Sequence, residues 1–240
     1  MKAPLTREQI ITRNKQRLAI VLYALLAVSI VFALVRYAQT PADAVSKEPG
    51  SRTRNDYGLM VVQCVLGLAV IYLPTFLEKK LRIDIPDLLE YLYLIFLFCA
   101  IYLGEVRNFY FRIPFWDNIL HAMSGGMLAV IGFYIVVILN QWDRLTLHLS
   151  PFFVAFFAFC FAAACGVVWE IYEFAVDRLL GMNMQKYLTD TGEALVGAAA
   201  LEDTMEDLII DLLSALVVSV LGYFSIRKEK AKEIAAIEGK

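Results

Sequence analysis

The sequence predicts an all-α integral membrane protein with about six transmembrane helices and both termini in the cytoplasm. Hydrophobic residues make up 60% of the 240 residues, whereas a soluble domain usually has about 45–50%. They are concentrated in runs long enough to cross a bilayer. The basic residues are divided unevenly between the two sides that these runs define.

Six apolar runs define the predicted spans. They cover approximately residues 18–36, 58–77, 86–104, 117–139, 151–176 and 203–226. The first run is longer than the core of about 7–15 residues in a signal peptide, so we expect a retained helix. The chain shows no internal repeat, and we expect residues 1–240 to form a single multi-pass membrane domain.

The connections between the spans have distinct compositions. Residues 78–82 form a charged turn, after which Asp84 and Pro86 suit the N-cap and first turn of span three. Residues 105–116 mix charged and aromatic side chains, which is typical of a segment at the lipid–water interface. Residues 177–202 are too short and too mixed to span, and we expect a re-entrant or surface-lying helix there.

The basic residues predict the orientation. The side that holds both termini carries 14 Lys and Arg residues, and the opposite side carries 8. Because positive residues mark the cytoplasmic side, the termini are predicted inside. The start of span four, the end of span five and the start of span six then all lie at the outer surface.

Composition also narrows the function. The net charge of −2 gives no basic surface for a nucleic acid. The four cysteines lie in apolar runs without metal-ligand spacing, which indicates packing positions. The two histidines, His121 and His148, are too few for a His-rich metal site, and we expect His148 to be solvated on an inner loop.

Acidic residues mark one end of each of the last three spans. On span four the acid shares a helical face with His121, and on spans five and six the acids of each span share one face. At the outer level these faces are expected to meet in one polar site, because an acid at the bilayer centre costs about 2.5–3.5 kcal/mol on insertion scales. The residues are Asp117, His121 and Ser124; Glu170, Glu173 and Asp177; and Asp203, Asp207, Asp211 and Ser214.

Simpler roles compete with a shared site. Asp203 has capping-box spacing to Glu206 and could cap span six, as Asp117 could cap span four. Glu170 and Glu173 could pair with nearby arginines, and His121 could bond a backbone carbonyl. Asp207 and Asp211 lie too deep to be caps, so they are the stronger site candidates.

The chemistry of these groups suits a divalent cation or proton handling. We assign Asp203, Asp207 and Asp211 as candidate ligands for Mg²⁺, Mn²⁺, Ca²⁺ or Zn²⁺. Candidate acid–base groups are His121, Asp117, Glu170 and Glu173. Crowded carboxylates can alternatively share protons. The sequence contains no G-x-S-x-G, H-E-x-x-H or P-loop motif, and no nucleophile stands out.

Three motifs together resemble the YjdF-type family of bacterial inner-membrane proteins and, more distantly, the VanZ-type membrane proteins linked to glycopeptide resistance. The motifs are Asp117-x-x-x-His121 with its following glycines, Trp169-Glu170-x-x-Glu173, and Asp203-Thr204-x-x-Asp207. Ser214-Ala215 stands where such proteins tend to have Gly-Ala. The resemblance implies a multi-pass protein of the bacterial inner membrane and supplies no established activity.

Three functions follow as hypotheses. The first is a cation-dependent site acting on an envelope or lipid-linked substrate. The second is a small ion- or proton-coupled transporter, although a chain of 240 residues without an inverted repeat is short for a transporter. The third is a structural membrane protein whose acids pair internally.

Overall fold

The computed structural model describes residues 5–42, 52–141, 149–189 and 192–238, and His148 lies outside these ranges. Within them, six helical segments are long and apolar enough to cross a membrane, which confirms the predicted number of spans. Their bounds are Arg7–Gln39, Arg54–Leu81, Asp87–Val106, Trp116–Leu139, Pro151–Leu180 and Glu202–Lys232.

The first two spans begin at capping boxes. Helix α1 (Arg7–Gln39) starts after Thr6, where the side chains of Thr6 and Gln9 each accept a hydrogen bond from the backbone N–H of the other residue. Helix α2 (Arg54–Val70) starts after Thr53 in the same way. Because these caps lie outside the apolar runs, both helices begin earlier than hydropathy alone predicts.

Spans two and three are each divided. Span two continues from α2 into α3 (Leu73–Leu81), which has a proline in its first turn. Span three begins with α4 (Asp87–Leu97) and continues as a π-helical segment, Phe98–Val106. Pro86 itself occupies the N-cap position of α4. The prediction that Asp84 caps this helix was therefore wrong, because the helix begins one residue after the proline.

The remaining helices follow in chain order. A short helix, α5 (Phe109–Arg112), lies in the aromatic segment that was predicted at the interface. It is followed by α6 (Trp116–Gln141), α7 (Pro151–Leu180) and α8 (Glu202–Glu238). Contacts group the chain into two compact units: unit one holds residues 1–120 and 175–201, and unit two holds residues 121–174 and 202–240.

Unit one has an apolar core formed by α1, α2 and α4. Its fully buried side chains include Leu22, Leu26, Met60 and Cys64. At one end of α1, Lys15 forms ion pairs with Asp87 and with the buried Glu90. Leu94 and Leu97 of α4 are buried in the same core, so apolar contacts as well as the ion pairs join α1 to α4.

The connection after α7 also belongs to unit one, and it differs from the prediction. Its described residues form turns, an isolated bridge between Leu188 and Ala194, and a single 3₁₀ turn, Gly197–Ala200. The expected re-entrant or surface-lying helix is absent from these described residues. Instead, both carboxylate oxygens of Asp177 accept backbone N–H bonds, from Met184 at 2.7 Å and Gln185 at 3.0 Å. Asp177 therefore stabilises the loop that follows α7 by binding its backbone.

Unit two consists of most of α6 and α7 together with α8, and small residues form its core. Ala129, Ala162 and Ala215 are buried in one cluster. A Cβ placed on Gly132 of α6 would lie 2.7 Å from the Cα of Ala158 on α7. Helices in membranes commonly approach each other through such small residues. At the far end of α8, Lys230 donates a 2.9 Å hydrogen bond to the Leu149 carbonyl, just before α7.

Candidate functional site

The centre of the candidate site in unit two is an imidazole between two aspartates. His121 Nδ1 lies 3.3 Å from Asp211 Oδ2, and Nε2 lies 3.5 Å from Asp207 Oδ2. The exposed fractions of His121, Asp207 and Asp211 are 6%, 2% and 4%. The arrangement joins α6 to two successive turns of α8, because Asp207 and Asp211 are four residues apart.

Asp211 has further contacts at its carboxylate and its backbone. The Ser124 hydroxyl lies 3.4 Å from Asp211 Oδ1 and donates a 3.0 Å bond to the His121 carbonyl. The Ser214 hydroxyl donates to the Asp211 carbonyl at 3.0 Å. We call His121, Ser124, Asp207 and Asp211 the His121 cluster. The sequence prediction that α6 and α8 supply facing polar groups agrees with this geometry.

Two of the three acids of α7 are buried in the same unit. Glu170 and Glu173 have exposed fractions of 5% and 7%. Glu173 accepts a 2.9 Å hydrogen bond from the indole N–H of Trp169, one turn earlier on α7. The sequence motif Trp169-Glu170-x-x-Glu173 contains this tryptophan but did not predict the contact. The one available signal was its four-residue spacing from Glu173.

Asp203 is half-buried in the first turn of α8, one turn before Asp207. Because α8 begins at Glu202, Asp203 stands inside the helix and not in the cap position. An acid in the first turn still interacts favourably with the helix dipole. A contribution to helix stability and membership of a polar site are therefore compatible at this position.

Two of the predicted site acids have partners in unit one. Asp117, in the first turn of α6, forms an ion pair with Lys186. Lys186 has a positive φ of 46°, a conformation that is uncommon for residues other than glycine. Asp177 holds the loop that carries Lys186, as described above. Sequence reasoning missed the Lys186 contact because 69 residues separate the partners and no periodicity links them.

The His121 cluster is chemically suited to hold a positive charge. A neutral imidazole has one N–H donor and one lone-pair acceptor. With the N–H on Nδ1 and directed toward Asp211, the Nε2 lone pair would face an oxygen of Asp207. A lone pair and a carboxylate oxygen facing each other are reconciled by a proton or by a metal cation between them.

Comparison with known proteins places this architecture in a family. The family model described as "Predicted membrane protein (DUF2238)" matches residues 17–228, which include all six spans in part or whole and the three motifs. An uncharacterised protein of Thermotoga maritima is 27% identical over 218 residues, covering 89% of this chain and 93% of that protein. No solved structure matches the chain significantly.

The matched region extends well beyond the C-terminal half that carries the motifs, so the first three spans belong to the same family architecture. The YjdF-type resemblance is confirmed by this match. Because the family model covers most of the sequence, the chain is a member of the predicted membrane protein family DUF2238.

Proposed function

We propose that the His121 cluster is a divalent-cation site through which the protein acts on an envelope or lipid-linked substrate. The observation that carries this proposal is that His121 has a buried aspartate at each ring nitrogen. Buried acids within membrane spans are costly, and they commonly mark ion or substrate sites. A bound cation would offset the charge of both carboxylates.

The two sides of the imidazole suit different roles. Metal-binding histidines usually donate their second ring N–H to a carboxylate, which fixes the orientation of the ring. Asp211 is positioned for that role at Nδ1, 3.3 Å away. On the other side, Nε2 and Asp207 Oδ2 offer two ligand atoms 3.5 Å apart. We therefore assign the cation to Nε2 and Asp207, with Asp203 one turn away as a further candidate ligand.

The donor set narrows the kind of cation. Imidazole nitrogen suits Zn²⁺ and other transition metals, whereas Mg²⁺ and Ca²⁺ prefer sites made of oxygen ligands alone. Among the ions considered from the sequence, Zn²⁺ and Mn²⁺ fit this mixed set best. Such an ion could polarise a phosphoryl or carbonyl oxygen of the substrate or activate a bound water.

The remaining acids are candidates for proton transfer beside the cation. Glu170 and Glu173 are buried in the same unit, and Asp117 precedes His121 by one helical turn on α6. The excess of basic residues beside the termini supports an outer-facing site in a bacterial inner membrane with both termini in the cytoplasm. An outer-facing site would be accessible to envelope precursors.

Elemental analysis of the purified protein in detergent tests the proposal. We expect about one divalent ion per chain in the natural protein and its loss in both His121→Ala and Asp207→Asn. Glu206→Gln is the matched control, because Glu206 is an exposed acid beside Asp207 on the same helix. A metal-free natural protein that is correctly inserted would remove the cation mechanism.

A cation-coupled transporter is the second candidate. It is favoured by the placement of Asp203, Asp207 and Asp211 on successive turns of one face of α8. These acids extend over about 12 Å along the helix. Reconstituted vesicles would show cation or proton movement that Asp207→Asn abolishes. A protein that binds metal without such movement supports the first proposal over this one.

A further inference from the structure

Asp211 lies between close surfaces of α6 and α7. A Cβ placed on Gly125 of α6 would lie 2.7 Å from the backbone oxygen of Asp211 and 3.0 Å from its Cα. A Cβ placed on Gly166 of α7 would lie 2.6 Å from Asp211 Oδ2. All of these residues belong to unit two. One glycine thus faces the backbone of Asp211, and the other faces its carboxylate.

The oxygen that faces Gly166 is the one that faces His121. Asp211 Oδ2 is 3.3 Å from Nδ1 of the imidazole, and the same atom occupies the space beside Gly166. The other Asp211 atoms near a Cβ at this position, Cγ and Cβ, would be 3.4 and 3.5 Å away. These longer distances are ordinary van der Waals contacts, so a methyl group here would conflict mainly with one carboxylate oxygen.

This conflict differs from one between helix backbones. The end of an aspartate side chain can rotate away at small cost, whereas a backbone atom moves only with its helix. Alanine at position 166 is therefore expected to displace the carboxylate and leave the helices in place. Alanine at Gly132 meets the Cα of Ala158 at 2.7 Å and must instead separate α6 from α7.

We infer that Gly166 is a positioning residue that holds Asp211 Oδ2 against His121 Nδ1. The absence of a side chain at position 166 leaves the space that this oxygen occupies. Where the cluster binds a cation as proposed above, Gly166 acts on the ion through Asp211 and His121 in turn. Loss of a carboxylate that orients a metal-binding histidine typically costs 10–100-fold in metal affinity.

Imidazole ¹⁵N NMR tests the positioning role without requiring a metal. The chain has two histidines, so a His148→Gln background leaves His121 as the only imidazole signal. Gly166→Ala is expected to shift the Nδ1 signal of His121 as the hydrogen bond to Asp211 is lost. Gly126→Ala is the matched control, because its Cβ would meet Val218 at an ordinary 3.5 Å.

A packing effect is separated from positioning by two further variants. Gly132→Ala should lower thermal stability and leave the His121 signals in place. In an Asp211→Ala background, Gly166→Ala should cause no further shift, since the carboxylate that it displaces is gone. Unchanged His121 signals in Gly166→Ala, or an equal change in Gly132→Ala, would overturn the inference.

The same variants keep this inference distinct from the proposed cation site. If the natural protein binds Mn²⁺, Gly166→Ala should weaken its apparent affinity by roughly 10–100-fold and Gly126→Ala should not. If the natural protein binds no Mn²⁺ or Zn²⁺ but the ¹⁵N shift occurs, the proposed function fails and the positioning role stands. If the natural protein binds metal but Gly166→Ala causes no ¹⁵N shift, the positioning role fails and the proposed cation site stands.

Discussion

Lys186 forms an ion pair with Asp117, and the loop that carries this lysine is held by the carboxylate of Asp177. The end of α7 is therefore connected through this loop to the first turn of α6 by two successive sets of polar contacts within unit one. Asp117 is the residue that begins the Asp-x-x-x-His motif, so the loop has a direct contact with that motif.

The Asp177 contacts predict how the loop responds to mutation. Asp177→Ala removes the acceptor of two backbone N–H groups, which costs about 1–3 kcal/mol for each group left buried and unsatisfied. Hydrogen exchange at Met184 and Gln185 should become faster, with little change in the core of α1. Asp177→Asn keeps one acceptor oxygen and should be intermediate. Equal protection in all three proteins would contradict this role.

The ion pair itself should contribute little to global stability. The Lys186 and Asp117 side chains retain exposed fractions of 29% and 19%, and partly solvated pairs contribute about 0–1 kcal/mol. We expect Lys186→Met to leave the thermal midpoint nearly unchanged and to increase proteolytic cleavage within residues 181–189. A large fall in the thermal midpoint would show that the ion pair stabilises the whole fold and not only the loop.

The effect of replacing Asp207 on cation binding and stability should depend on the residue that replaces it. If its carboxylate binds a cation, Asp207→Asn should lose the ion and Asp207→Glu should retain part of the binding. If the acid serves only internal pairing, Asp207→Leu should be destabilising because it leaves the buried His121 without this partner, whereas replacing both residues by apolar ones can be neutral or stabilising. Thermal unfolding measured with and without a chelator distinguishes the two, because a chelator should destabilise only a protein that holds the ion.

Close packing in unit two predicts a contrast between two glycines of α6. Gly132→Ala forces a methyl group against the backbone of α7 and should destabilise by about 1–3 kcal/mol. Gly126→Ala meets only a Val218 methyl group at 3.5 Å and should be close to neutral. Unfolding in detergent of the two variants provides the comparison, and equal stabilities would show that α6 and α7 are less closely packed.

The predicted orientation can be tested by labelling. Lys186→Cys should react in intact cells with a thiol reagent that does not cross membranes, because its loop is predicted outside. Lys79→Cys, in the last turn of α3 at the predicted cytoplasmic end of span two, should react only after the cells are opened. A background without the four natural cysteines avoids competing labels. The reverse pattern would invert the proposed topology.

The spans were predictable from sequence because hydrophobicity directly records contact with lipid. It was also predictable that polar groups of α6 and α8 face each other, since Asp207 and Asp211 share a helical face and a charge in a span needs a polar neighbour. The role of Asp177 was not accessible. Its spacing from Glu173 placed it on the same helical face, but its contacts depend on how the following loop folds back.

Contacts between distant segments set the other limit on prediction. The Lys186 pair and the fit of Asp211 beside Gly166 join residues that no helical period relates. Sequence spacing identifies the neighbours of a side chain along one helix, whereas its neighbours on other helices follow from packing. The π-helical segment Phe98–Val106 was missed for another reason, because its hydropathy is the same as that of an α-helical span.

Helix α8 contains 37 residues and spans about 55 Å, well beyond a hydrocarbon core of about 30 Å. Asp207 and Asp211 lie near its start, and its last turns extend past Lys230, which donates to the carbonyl of Leu149, two residues before α7. An uninterrupted helix transmits displacement along its length much as a rod does. A small tilt at the aspartates would therefore be amplified at the basic end, where a fluorescent label could report events in the distant cluster.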